Sequence, residues 1–237
     1  MSHKAVEKLF YELSSESRLD ILNEVLNEGL KMQDLARRVD LTATEAFRQL
    51  QRLSDAGLVK RQPDGTYAIT PYGRLEMQLA RSLGFVFDHR DYFMEHDVWR
   101  LPGPFVNRVV ELSGAVLVGE TMDAIVNVER IQGEAEERVW GIGEGRFTER
   151  MGSVSSDQVS GGLEYRVLSP LPHTKMAHLE NRTLTDIPVV LLLTEKEAMV
   201  SLRRNDGRMD YAGFMGKDEA FLVWARDLFK YYWDECG

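Results

Sequence analysis

The sequence is poor in cysteine and has no long apolar run: Cys236 is its only cysteine in 237 residues. A single cysteine cannot form an intrachain disulfide or a multi-cysteine zinc site, and such scarcity is typical of a reducing compartment. No segment approaches the roughly 20 apolar residues of a membrane span, and the first ten residues lack the apolar stretch of a signal peptide. These absences predict a cytoplasmic protein with no membrane partner.

The chain also lacks the basic excess that many nucleic-acid binding proteins carry, because its net charge is −9. The whole acidic excess follows residue 75, since residues 1–75 contain 11 basic and 11 acidic side chains. Within them, residues 31–61 are locally basic, with seven basic and four acidic side chains. An acidic surface repels nucleic acid, so residues 31–61 are the predicted phosphate-binding zone.

Helical patterns dominate the start of the chain. Apolar residues at spacings of three and four predict helices near residues 6–13, 17–28 and 31–39. Thr42, with Glu45 three residues later, predicts a capping box at the start of a further helix. The buried face of this helix is predicted to contain Ala43, Ala46, Phe47, Leu50 and Leu53.

The opposite face of this helix is polar, as a helix that reads the DNA major groove requires. Two β-prone stretches follow, residues 58–61 and 66–69, and the turn signal Pro63-Asp64-Gly65 between them predicts a hairpin. We expect Thr42 to cap the helix, and seven further side chains to bind DNA. The predicted base contacts are Thr44, Arg48 and Gln49. The predicted phosphate contacts are Arg52, Lys60, Arg61 and Thr66.

Three consecutive motifs resemble the ArsR-type winged helices of bacterial and archaeal regulators. They are S-E-S-R-L-x-I-L, M-Q-D-L-A-R-R-V and L-T-A-T-E-A-F-R-Q-L-Q-R-L-S-D-A-G-L-V. The resemblance implies a winged helix-turn-helix domain over residues 1–71 that binds double-stranded DNA. Glu45 departs from it as an acid near the expected DNA face. A protein-interaction adaptor, whose winged helix binds protein and no DNA, is the alternative.

A connecting helix is predicted over residues 72–98, starting at Pro71 and reaching about Asp97. Apolar residues seven apart favour a seam against the same helix of a second subunit, and hence a homodimer. The seam residues are Tyr72, Leu79, Val86 and Phe93, with Leu75 and Leu83 beside them. His89 and His96 are also seven apart, and they are interpreted either as part of a metal-sensing cluster or as solvated polar positions.

Residues 99–237 mix both kinds of pattern. β-prone runs at 115–118, 163–168, 188–193 and 198–202 alternate with helical stretches at 122–139 and 217–236, which predicts an α/β layer domain. The fold class is therefore α/β, or α+β overall.

The ending of the chain resembles the FilR-type domain of archaeal regulators. Its cues are a buried strand after Pro188, the turn Asn205-Asp206-Gly207 and the helix F-x-x-W-A-x-D-L-F-x-Y-Y-W. The resemblance implies an archaeal transcription regulator with an effector or interaction domain. It fixes no small-molecule effector, and no cofactor is predicted.

One fragment is reminiscent of an enzyme. His173 and Lys175, with Glu180 five residues later, faintly match the His-x-Lys signature of phospholipase D-like phosphodiesterases. Glutamate replaces the usual aspartate, the following Gly-Ser element is missing and no second copy exists. No enzymatic activity is expected.

Overall fold

The computed structural model describes residues 3–144, 162–170 and 179–236. The chain divides into two compact units, Met1–Gly84 and Phe85–Gly237. The first is mainly helical and the second contains a large sheet, which confirms the predicted fold class. No helix among these described residues is long and apolar enough to cross a bilayer.

The first unit combines helices with a small sheet whose strand order is β1-β3-β2. Both strand pairs are antiparallel. The helices are α1 (His3–Leu13), α2 (Glu16–Glu24), α3 (Met32–Arg38), α4 (Ala43–Asp55) and α5 (Pro71–Asp88). The strands are β1 (Leu30–Lys31), β2 (Val59–Arg61) and β3 (Thr66–Ile69).

The core of this unit forms where α2, α3 and α4 meet. Leu22, Leu35, Leu50 and Leu53 are fully buried there. Leu50 and Leu53 are three residues apart and therefore share one face of α4, which leaves the opposite face to solvent.

Two residues expected in that core lie outside it: Ala43 is exposed, and 52% of Phe47 is exposed. The buried face of α4 is narrow, formed by Ala46, Leu50 and Leu53. Successive helical residues point about 100° apart, so Phe47 turns away from the direction of Ala46. Ala43 occupies the first helical position, ahead of the buried turns.

The connecting helix is shorter than predicted. α5 ends at Asp88, and His89 leaves the helical conformation with φ −105° and ψ 22° before α6 (Arg90–Glu95) begins. Phe93 does not continue the exposed seam, because its ring packs in the second unit, 6.0 Å from Phe85 and 5.9 Å from Phe214 between ring centroids. Burial of this aromatic ring favours a change of chain direction after Asp88.

The second unit is built on a seven-stranded sheet in the order β4-β10-β9-β8-β5-β6-β7. The β5–β6 and β6–β7 pairs are parallel, and the four other pairs of these described strands are antiparallel. After α6, the helices are α7 (Gly103–Asn107), α8 (Thr121–Gly133) and α9 (Glu219–Glu235). The strands are β4 (Val116–Val118), β5 (Arg138–Ile142), β6 (Glu164–Ser169), β7 (Leu179–Thr183), β8 (Val189–Leu193), β9 (Ala198–Leu202) and β10 (Gly213–Gly216).

Helices cover both faces of this sheet. Alternate residues of β8 point to opposite faces, so Leu191 packs in the core that contains Trp224 of α9, whereas Leu192 packs in the core that contains Val128 of α8. Helix α9 buries Phe221, Trp224, Leu228 and Tyr232 as predicted. This arrangement gives a three-layer α/β/α domain.

Helix α8 ends at Gly133, six residues before the predicted end at Val139. Val139 lies in β5, where it is fully buried against the α8 side of the sheet. Glu195 accepts hydrogen bonds from the backbone N–H groups of Glu136, Glu137 and Arg138, which fixes the start of β5. These three hydrogen bonds hold residues 136–138 outside the helical conformation, so α8 ends earlier than the sequence predicted.

Candidate nucleic-acid interface

The predicted capping box starts helix α4. The Thr42 hydroxyl accepts a hydrogen bond from the Glu45 N–H, and Glu45 Oε2 accepts one from the Thr42 N–H at 3.0 Å. The hydroxyl also donates to Glu45 Oε2. The hydrogen bonds from the Thr42 hydroxyl and N–H keep the pKa of Glu45 below its usual value. The acid near the expected DNA face therefore serves the helix start.

Thr44 and Arg48 are exposed on the outer face of α4, four residues apart. Gln51 and Asp55 continue this face, and Gln51 Nε2 donates to Asp55 Oδ1 at 2.9 Å. The structure thus brings two predicted base-reading residues onto one exposed surface in the N-terminal half of the helix, where recognition helices meet base edges.

The other two predicted residues of α4, Gln49 and Arg52, have partners within the first unit. Arg18 donates to Gln49 Oε1 at 3.1 Å. Arg52 donates to both carboxylate oxygens of Glu12, and its guanidinium also lies 4.9 Å from the centre of the Tyr11 ring. The side chain of Arg52 remains 41% exposed, so part of the guanidinium still faces solvent.

Glu12 and Arg18 were missed by the sequence reasoning. Both are more than 90% buried, and Arg18 also donates to the carbonyl oxygens of Tyr11 and Glu12. The hydrogen bond from Arg52 is the largest cause of a lowered pKa at Glu12, with further contributions from the charges of Arg52 and Arg18. No local signal could have found them, because the exposed Lys8 also directly precedes a leucine of the same apolar stripe.

The predicted hairpin, a wing, is formed by β2 and β3. Its register pairs Val59 with Ile69 and Arg61 with Tyr67. Gly65 turns the chain with φ +84°, a backbone conformation that glycine adopts without steric cost. Asp64 Oδ1 accepts from the N–H and hydroxyl of Thr66, so this half-buried threonine stabilises the turn.

The ion pairs of this unit leave a distinct set of cations. Within the described part of the chain, Arg48, Lys60 and Arg61 form no salt bridge, and all three are exposed. Lys31 of β1 is likewise exposed and forms no salt bridge, whereas Arg37 pairs with Asp34, and Arg38 pairs with Glu24 and Glu28. Within residues 31–61, the unpaired positive charge therefore lies on α4, on the wing and on the strand β1 that pairs with the wing.

The two histidines of the connecting region are not arranged as metal ligands, and His96 is not a solvated polar position either, because it is buried. His96 is 4% exposed, its Nδ1 donates to the Tyr92 carbonyl at 2.8 Å and its Nε2 lies 3.1 Å from Asp210 Oδ2. His89 Nδ1 contacts the Phe85 carbonyl at 3.0 Å. Residues 3–144, 162–170 and 179–236 contain no cluster of three side chains suited to a metal.

The enzyme-like fragment falls mostly in a part of the chain that the structure does not describe. His173 and Lys175 are outside the described residues. Glu180, an exposed residue of the edge strand β7, forms a salt bridge with Arg166 of β6 at 3.0 Å. Glu180 is thus a surface ion-pair partner on the sheet.

The first unit has the architecture of a winged helix-turn-helix domain, and an α/β domain follows it along the chain. Residues 6–84 match the family model described as the HVO_A0261 N-terminal domain. Residues 171–235 match the family model of the methanogenesis regulatory protein FilR1, middle domain. The winged-helix fold of the first unit, together with the match to the FilR1 middle domain, confirms the predicted combination of a winged helix with a FilR-type domain.

Solved structures resemble this chain only loosely. A structure titled "Structure of TrmBL2, an archaeal chromatin protein, shows a novel mode of DNA binding" aligns with 92% of each chain at 16% identity and a TM-score of 0.41. Reduced HlyU from Vibrio cholerae aligns at 25% identity over 34% of this chain and 88% of its own, with a TM-score of 0.30. With TM-scores below 0.5, neither likeness bears on function. Comparison with curated proteins finds no match.

Proposed function

We propose that the protein is a transcription regulator that binds double-stranded DNA sequence-specifically through its first unit. The observation that carries the proposal is the unpaired positive charge of Arg48, Lys60 and Arg61 on a capped, solvent-facing helix and the adjoining wing. A protein that neutralises phosphates needs cations that are not already paired with its own carboxylates.

Within this proposal, α4 enters the major groove. Thr44, Arg48 and Gln49 meet base edges, where arginine pairs best with guanine because its two donors match O6 and N7. Gln49 keeps its amide NH₂ for this purpose, since Arg18 occupies only Oε1. Thr42 holds the helix start in position.

The phosphate contacts come from α4 and the wing. Lys60 and Arg61 extend from β2, and Arg52 offers the exposed part of a guanidinium whose other edge is fixed by Glu12. Such fixation lowers the conformational entropy lost on binding. Thr66 supports the turn that carries the wing and adds a hydroxyl beside it.

We propose further that the protein acts as a homodimer, and the exposed surface of α5 supports this. Tyr72, Leu75, Leu79 and Leu83 are each between 46% and 56% exposed, at spacings of three and four, and Val86 is 39% exposed. This stripe is unusual for a surface helix and suits pairing with a second copy. Two recognition helices about a two-fold axis then read half-sites one helical turn apart.

An apolar groove of about 340 Å³ in the first unit adjoins the exposed stripe of α5 and enlarges the apolar surface proposed for the dimer. It lies between α1, α2 and α5, and Leu83 belongs both to its wall and to the stripe. Its other lining residues are Phe10, Leu13, Leu19, Asn23, Met77, Ala80 and Arg81.

The second unit, in this proposal, responds to a small molecule or protein and shifts the population of DNA-competent dimers. The observation offered for a ligand-responsive role is that, among the described residues, the Tyr165 hydroxyl, Gln132 Nε2 and Trp140 Nε1 are buried and have no hydrogen-bond partner. Buried polar groups are normally paired, so an unpaired one warrants an explanation. Thermal-shift screening of metabolites against wild type and Tyr165→Phe tests this, and a screen without any stabilising compound or partner would contradict it.

DNA binding is tested by selecting bound sequences from a random double-stranded pool. Wild type should enrich a two-fold-symmetric motif, and Arg48→Ala should lose preference at one position of each half-site. Arg208→Ala is the matched control, because Arg208 is an exposed arginine of the second unit. A folded wild-type protein that enriches no sequence would refute the proposal and favour the protein-interaction adaptor.

A further inference from the structure

The recognition surface contains an apolar side chain that the proposed hydrogen bonding does not use. Phe47 is 52% exposed and lies in the first half of α4, beside Thr44 and on the side of it away from Arg48. Ala43, one turn earlier on the same side, is also exposed. An apolar strip therefore runs beside the polar residues that face the groove.

We infer that Phe47 is a specificity-determining residue that contacts the C5 methyl group of thymine. This inference rests on the proposed function. The phenyl ring has no hydrogen-bond donor or acceptor, so packing it against most base edges would desolvate polar groups without giving them a partner. The thymine methyl is the apolar group that base pairs display in the major groove.

The position of Phe47 on the helix supports this choice of ligand. Residues in the N-terminal half of a recognition helix reach base edges, and Phe47 follows the N-cap Thr42 by five residues. Its neighbours in sequence divide between core and solvent: Ala46 is fully buried, whereas Arg48 is exposed. The ring thus sits at the margin of the polar face, where it can pack against one strand while Arg48 bonds to a base.

Replacement of thymine by uracil tests the inference, because the two bases differ only by the methyl group. The operator is first obtained by selection with wild type, and each thymine is then replaced singly. We expect uracil at one position of each half-site to weaken wild-type binding about fourfold, the factor for burying one methyl-sized group. Phe47→Ala should bind the thymine and uracil operators equally at that position.

Two variants serve as controls. Trp99→Ala removes another exposed aromatic ring, which lies outside both α4 and α5, and it should keep the wild-type uracil penalty. Arg48→Ala should bind every operator more weakly yet keep the same ratio between thymine and uracil. Because the Phe47 side chain is half exposed, Phe47→Ala should fold like wild type, as circular dichroism would verify.

The outcomes separate the inference from the function on which it rests. Equal wild-type binding to thymine and uracil operators would overturn the inference alone, as would an undiminished uracil penalty in Phe47→Ala. If the wild-type protein selects no DNA sequence, both the proposed function and this inference fail.

Discussion

Arg52 and Glu12, forty residues apart in the chain, are joined by two hydrogen bonds of 2.8 and 3.2 Å. Arg18 approaches the same carboxylate at 3.2 Å, so one buried acid links α1, α2 and α4. The orientation of the proposed recognition helix therefore depends on an ion cluster. Such clusters stabilise only when complete, because removing one partner leaves uncompensated charge.

Glu12→Gln should destabilise the first unit and reduce its acid sensitivity. The pKa of Glu12 is lowered on folding, chiefly by Arg52, so its stabilisation is present above the unfolded value near 4.5 and is lost as pH falls through the folded value. We expect a loss of about 3 kcal/mol near neutral pH and a shallower decline below about pH 4.5. Urea unfolding at several pH values measures both.

The control for this substitution is Glu7→Gln, at an exposed position of the same helix. It should leave both the stability near neutral pH and its decline in acid close to wild type. An unchanged acid decline in Glu12→Gln would show that the ion cluster does not set the pH dependence.

Thr42→Ala should cost about 1 kcal/mol, because it removes the side-chain acceptor for the Glu45 N–H at the start of α4. Thr42→Ser retains an N-cap oxygen and should stay within a few tenths of a kcal/mol of wild type. Chemical denaturation of the two variants gives the comparison. Equal stability of both variants would contradict the role assigned to the capping box.

Gly73 and Gly84 of α5 should respond oppositely to alanine. A Cβ at Gly73 would collide with the Leu58 carbonyl, so Gly73→Ala should destabilise by about 1–3 kcal/mol. Nothing lies within 4 Å of a Cβ at Gly84, where alanine should stabilise the helix by up to about 1 kcal/mol. Melting temperatures that shift in the same direction would be inconsistent with this packing.

Leu79→Glu should convert the dimer into a monomer without unfolding it, because Leu79 lies at the centre of the exposed stripe on α5. Sedimentation velocity measures the mass, and circular dichroism measures the fold. Met122→Glu, at another exposed apolar position, should remain dimeric. A wild-type protein that sediments as a monomer would refute the proposed dimer.

Much of the first unit was predictable because its signals are local. The Thr42–Glu45 box and the turn at Gly65 depend on residues close in sequence, so spacing alone identified them. Periodicity was less reliable at the edge of a buried face. Phe47 follows the apolar spacing yet is half exposed, because the pattern does not define how wide the contact with the core is.

The missed features depend on contacts between distant residues. The Glu12–Arg52 pair and the buried His96–Asp210 pair join positions 40 and 114 residues apart. No spacing rule reports such pairs, since tertiary packing alone brings them together. The pattern of apolar residues seven apart in the connecting region likewise included Phe93, although this ring packs against the core of the second unit.

The dependence of DNA affinity on salt tests the central claim most directly. Removing one phosphate-binding side chain should reduce the slope of log affinity against log salt by about one unit. We expect this reduction for Lys60→Ala and for Arg61→Ala, with the wild-type slope retained in Arg208→Ala. Wild-type slopes and affinities in both wing variants would contradict DNA binding through α4 and the wing.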